Sequence, residues 1–117
     1  MAICNLLEDP RQTREQAERI AAHVRSTGPL LPDGARLLIS GPADPGWRVI
    51  TVWDSEEARD QFLEQRLAAA YKAAGLSLDN VALTQFDVQL LIAGDLVGAS
   101  QRYPAPLTRV PTPAWKP

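Results

Sequence analysis

The segment from Gly46 to Gly75, GWRVITVWDSEEARDQFLEQRLAAAYKAAG, constrains the fold most. It runs a strand straight into a capped helix. Trp47, Val49, Thr51 and Trp53 alternate with Arg48, Ile50 and Val52, so the strand is largely apolar on both faces. A sheet wetted on one side has one apolar and one polar face. This strand needs a cover on each side. The chain has helices enough for one, so a second subunit is the expected other cover.

The flanking segments complete a pattern. Residues 2–8 read as a first strand, ending at Asp9-Pro10. Thr13 to Gln16 has the form of a capping box, and the helix behind it carries Ala17, Ile20, Ala21 and Val24 on its inner stripe. Gly28-Pro29 ends it. Residues 35–41 form a second strand, and Pro42 to Gly46 suits a hairpin into the third, 47–53. Asp54 is the expected cap of the second helix, with Glu57 completing its box, and Gly75 is its stop. A turn over 77–80 leads to a long fourth strand, 81–92. The order β-α-β-β-α-β is the ferredoxin-like α+β plan, with both helices on one face of an antiparallel sheet. Two such sheets closing face to face make a dimeric α+β barrel.

The domain so defined spans residues 1–93. Residues 94–117 differ in character, holding five of the ten prolines (Pro104, Pro106, Pro111, Pro113 and Pro117), which excludes a helix or central strand. Tyr103, Leu107, Val110 and Trp115 are apolar anchors by which this tail could pack on a dimer; a disordered end is the alternative.

The 117 residues suit one domain, and 45% hydrophobic with 22% charged residues exclude wholesale disorder. A formal charge of −2 gives no broad basic field for nucleic acid or an acidic membrane. No apolar run approaches ~20 residues, so no membrane-spanning helix is expected. MAICNLLEDP has neither the basic start nor the apolar core of a secretory signal. With one cysteine, Cys4, no internal disulfide can form, and a cytoplasmic location is expected. One histidine and one cysteine are too few for common zinc or iron sites, and neither a glycine-rich nucleotide loop nor GxSxG occurs.

The element order and GWRVITVWDSEEARDQFLEQRL together resemble the dimeric α+β barrel superfamily, in particular its antibiotic biosynthesis monooxygenase-like group of actinobacterial type. The resemblance covers roughly residues 2–92. It implies cofactor-independent oxygenase, cyclase or isomerase chemistry on polyketide or aromatic metabolites, in a pocket between sheet and helices of each subunit. Asn5 and Phe62 fall where the haem-degrading branch has a pocket asparagine and tryptophan. No histidine stands near Tyr71 and Lys72, where that branch ligates haem, so haem is not expected. Nor are there histidines near Leu7, Leu38 and Gln89, where actinobacterial relatives often carry them, so a more apolar pocket is implied.

Three residues are candidates for catalysis. Arg66 falls inside the stripe of Leu63, Leu67, Ala70 and Ala74; a buried guanidinium needs an acceptor, either a substrate anion or a structural partner. His23, beside Ile20 and Val24, is the one side chain of near-neutral unperturbed pKa and could act as general base, or could be a surface or interface residue. Asn5 shares a strand face with Ile3 and Leu7 and could hydrogen-bond a substrate carbonyl or enolate. Phe62, Tyr71, Thr51 and Trp53 are candidate substrate-binding residues, the aromatics as walls for a flat ligand. Gln85, Asp87 and Gln89 share one strand face, either solvated or lining the barrel interface. The expected function is a metal-free and cofactor-free monooxygenase-like enzyme; the alternatives are a cyclase or isomerase, and a non-catalytic metabolite binder or structural dimer.

Overall fold

The computed structural model of the chain describes residues 1–92 and Gly94. The expected domain boundary and the tail with Tyr103, Leu107, Val110 and Trp115 lie outside the described residues. Strands β1 (Ile3–Asp9), β2 (Ala35–Pro42), β3 (Trp47–Trp53) and β4 (Ala82–Asp87) form one antiparallel sheet in the order β2-β3-β1-β4. The two central strands are β3 and β1. The fold is the ferredoxin-like α+β arrangement.

The sheet registers decide what lies beside what. Asn5 pairs with Thr51 on one side and Gln85 on the other, and Thr51 pairs with Leu38. Paired residues share a face, so Leu38, Thr51, Asn5 and Gln85 make one row across all four strands. Leu7 packs against the helices, and strand alternation therefore turns Ile3, Asn5 and Asp9 the same way. Cys4, Leu6, Ile50, Val52, Leu37, Ile39 and Phe86 turn to the opposite face. Cys4 and Val52 are buried at its centre, while Ile39 and Phe86 stand 52% and 62% exposed toward its edges.

The fourth strand is shorter than the expected 81–92. Its last ladder partner is Ile3, at the start of β1, opposite Asp87. One more main-chain bond follows, Val88 N–H to the Ala2 carbonyl at 2.9 Å. Beyond that the neighbouring strand has run out, and Leu90, Leu91 and Ile92 are exposed.

Helix α1 (Arg14–Thr27) starts at the expected capping box: Gln16 N–H donates to Thr13 Oγ1 at 3.2 Å, and Thr13 N–H to Gln16 Oε1 at 3.0 Å. The second helical stretch is not one regular helix. It comprises α2 (Glu56–Phe62), a π-helical turn (Leu63–Leu67) and α3 (Ala68–Ala73). The π turn is marked by Ala68 N–H donating to the Leu63 carbonyl, five residues back. The expected stripe is kept across it: Leu67, Ala70 and Ala74 are buried in the core and Leu63 packs against it. The cap of α2 is Ser55, whose hydroxyl accepts from Ala58 N–H at 3.1 Å. Asp54, expected there, instead pairs with Arg36 at 2.5 Å. The stop at Gly75 is a Schellman motif: φ is +79°, Leu76 N–H donates to the Tyr71 carbonyl and Gly75 N–H to that of Lys72. Ile20 and Val24 of α1 pack on Leu67, Ala70, Tyr71 and Ala74 in one buried cluster. Among the described residues, Leu7 is the one strand side chain packed against it.

Candidate active site

Thr51 and Asn5 are the buried polar part of the row beneath the helices, and Gln85, on the edge strand, is exposed. Asn5 is 3% exposed and Thr51 is equally buried, between the apolar Ile3, Leu7 and Trp53. The Asn5 Oδ1 atom is enclosed and has no hydrogen-bond partner among the described residues. A buried amide oxygen without a donor costs roughly 1–3 kcal/mol, and nothing in the local strand geometry requires an amide there. Trp53 is buried two residues beyond Thr51 on the same face, and its ring centroid lies 5.6 Å from that of Phe62, tilted by 41°. The strand row and α2 thus bring four expected residues together: Asn5, Thr51, Trp53 and Phe62.

Arg59 of α2 was not expected there. It is 9% exposed, its Nε donates to Asp60 Oδ1 at 3.0 Å, and its Nη1 donates to Gln85 Oε1. Gln85 Nε2 in turn donates to Glu56 Oε1 at 3.2 Å. This strap ties α2 to β4, beside Asn5 in the row. The signal was present in the sequence: Arg59 stands four residues before Leu63 and eight before Leu67, on the same stripe.

Arg66 meets structural partners, one of the two kinds of acceptor expected for it. Its Nη2 donates to the carbonyls of Val24 and Pro29, both at 2.8 Å, and its Nε to Thr27 Oγ1 at 3.2 Å. Its guanidinium also lies 5.4 Å from the Phe62 ring centre. These acceptors are the C-terminal end of α1, where a cation meets the negative end of the helix dipole. The π turn aims the side chain at α1.

His23 shares a face of α1 with Gln16 and Thr27, seven and four residues away. Gln16 Nε2 reaches the Ala74 carbonyl at 3.5 Å and Thr27 binds Arg66. His23 therefore sits along the seam between α1 and the second helical stretch, with its Nδ1 enclosed and without a partner among the described residues. Tyr71 is at the other end of the core. Its hydroxyl donates to Gln12 Oε1 at 3.0 Å, and burial, with the charge of Asp9, pushes its pKa up to about 12.

Two surface depressions, of about 250 and 270 Å³, lie at the turn end of the sheet. One is lined by Asp9, Arg11 and Gly75 to Ser77 among others, the second by Pro45, Trp47 and Arg48 among others. Neither includes Asn5, Thr51, Trp53 or Phe62. Among the described residues no group of three or more histidine, cysteine or acidic side chains could hold a metal ion, and no helix is long and apolar enough to cross a membrane.

The chain is an α+β protein of ferredoxin-like fold, and solved structures share it. An antibiotic biosynthesis monooxygenase-like protein from Deinococcus radiodurans matches at 21% identity and a TM-score of 0.51, over 84% of this chain and 100% of that one. A dimeric ferredoxin-like protein from Jannaschia matches at 13% identity and a TM-score of 0.50, over 75% and 100%. SnoaB, a cofactor-independent oxygenase from Streptomyces nogalater, matches in a mutant form at 17% identity and a TM-score of 0.48, over 80% and 96%. No protein-family model and no curated protein sequence matches.

Proposed function

We propose that the chain is a small-molecule enzyme of aromatic or polyketide metabolism, a monooxygenase-like protein working without metal or organic cofactor. The observation that carries this reading is Asn5 Oδ1, enclosed without a partner among the described residues, beside buried Thr51 and the aromatic pair Trp53 and Phe62. A polar atom kept unsatisfied at such a position fits a ligand's hydrogen bond. An enol or phenol O–H would donate to Asn5 Oδ1, with Thr51 beside it and Trp53 and Phe62 against the rings. Loss of a proton from the substrate gives an enolate or phenolate, which passes an electron to O₂. The substrate radical and superoxide combine through a new carbon–oxygen bond, the peroxide takes up the released proton, and this hydroperoxide loses water to leave a carbonyl, so one oxygen atom is kept and the other leaves as water.

In this reading Arg66 clamps the helices above the site, and His23 is the base to be tested. Tyr71 supports the core. The open sheet face joins a second copy, consistent with the apolar residues along it and with the Jannaschia protein being described as dimeric. The cytoplasm is the proposed location. A cyclase or isomerase would use the same anion without O₂. The enclosure of Asn5, reached by neither surface depression, favours a second reading, a binder or structural dimer.

The test is oxygen uptake with anthrone, whose conversion to anthraquinone consumes one O₂ and releases one water. The expected result is enzyme-dependent uptake that drops at least tenfold in Asn5→Ala. Turnover that persists without O₂ points to the cyclase or isomerase, and uptake indifferent to Asn5→Ala removes the site.

A further inference from the structure

We propose that the depression beside Asp9, at the turn end of the sheet, binds a small zwitterion of the α-amino-acid class, its ammonium on the Asp9 carboxylate and its own carboxylate toward Arg11. This place does not rest on the site at Asn5. Asp9 lies four residues further along β1, roughly 13 Å away at strand spacing.

Asp9 is 3% exposed. Its Oδ1 accepts the Arg11 main-chain N–H at 2.9 Å, while its Oδ2 is enclosed without a hydrogen-bond partner among the described residues. The Tyr71 hydroxyl, which feels the charge of Asp9, gives its proton to Gln12 instead. No side-chain cation compensates either. The ion pairs among the described residues are those of Arg19, Arg36, Arg48 and Arg59, and none includes Asp9 or Arg11. A carboxylate held out of water is costly until a positive charge meets it. It accepts hydrogen bonds and donates none, so its missing partner is a donor.

The space beside it sets the rest of the ligand. Unlike Asn5, Asp9 lines a depression, of about 250 Å³. That is below the roughly 300–1,000 Å³ of drug-sized ligand sites, so the occupant is small. Arg11 is exposed and lines the same depression without pairing with Asp9. Two opposite charges held apart across one hollow suit a ligand with an ammonium at one end and a carboxylate at the other. A metal ion suits it poorly, because Asp9 is the one acidic side chain on the lining and Arg11 would repel a simple cation. An enclosed oxygen also admits only a small donor, an unsubstituted –NH₃⁺.

Glycine titrated into the full chain tests this, with the side-chain amide signals of Asn80, which lines the depression, as reporter. Glycine is expected to move them saturably, with a Kd on the order of 1 mM. Glycine betaine keeps both charges but has no N–H, and it should bind at least tenfold more weakly. Methylamine lacks the carboxylate and should bind about two- to fivefold more weakly, because Arg11 is exposed. Asp9→Asn should weaken glycine binding at least tenfold, and Arg11→Gln about two- to fivefold. Arg11→Gln changes an exposed turn residue, so it reads the site even if Asp9→Asn does not fold. Absence of a saturable shift up to about 50 mM glycine overturns the proposal. So does betaine or methylamine binding as tightly as glycine, or glycine binding that ignores either substitution.

Discussion

The guanidinium of Arg66 donates to the main-chain carbonyl of Val24 at 2.8 Å, joining the π turn of the second helical stretch to the last turn of α1. Bonds to Pro29 and Thr27 and the contact with the Phe62 ring complete the junction. Arg66→Ala would take a donor from the carbonyls of Val24 and Pro29, the first of which keeps the Thr27 hydroxyl at 3.0 Å. The expected cost is about 1–3 kcal/mol in urea or thermal unfolding, with binding of the hydroxyanthraquinone dye alizarin at Asn5 retained. Gly28→Ala should act in the same direction, because an added Cβ would come within 3.0 Å of Arg66 Nη2.

Asn5→Leu separates function from stability. It removes an unpartnered amide and adds apolar volume of similar shape, so folding stability should stay level or rise by about 1 kcal/mol. Anthrone turnover and alizarin binding should be lost. A fall of several kcal/mol would mean that Asn5 holds the strands together rather than waiting for a ligand. Equilibrium denaturation beside a binding titration reads both outcomes.

Tyr71 makes stability depend on alkaline pH. Its folded pKa is raised to about 12 from the ordinary 10.0, by burial first and then by the charge of Asp9. The neutral hydroxyl is the form the fold favours, so its contribution is fully present below pH 10 and is lost as pH rises from about 10 toward 12. Tyr71→Phe should remove that dependence. It should also cost about 1–2 kcal/mol at neutral pH, because Gln12 Oε1 loses its donor. Thermal melts across this range measure it.

The open sheet face should be the seat of a second copy. Phe86 and Ile39 are its exposed apolar residues, and a carboxylate on a buried apolar interface is strongly disfavoured. Phe86→Glu and Ile39→Glu are each expected to shift a dimer to monomer in light scattering at micromolar concentration. A wild-type monomer would contradict the assembly.

Local signals in the chain were legible and long-range ones were not. The Thr13–Gln16 box and the Gly75 stop depend on residues within one turn, and both stand where the sequence put them. The cap of α2 was read one residue early, because Asp54 is drawn off by Arg36, a residue of another strand. Asn5 was legible as an amide between Ile3 and Leu7. Arg59 was not, although it stands on the stripe, because an arginine in the first turns of an exposed helix ordinarily reaches water. Arg66 was legible as a stripe residue in need of an acceptor, but which acceptor it meets depends on the end of α1, about 40 residues away in the chain. The length of β4 depends on where β1 begins, which hydropathy alone does not report.

The most direct measurement is a side-chain amide NMR titration of the full chain with alizarin, the chain having two asparagines, Asn5 and Asn80. Asn80 lines the depression at the far end of the sheet and serves as an internal control. The account requires the Asn5 amide pair to move with dye occupancy while the Asn80 pair stays put. An Asn5 signal that does not respond while the dye binds would contradict it.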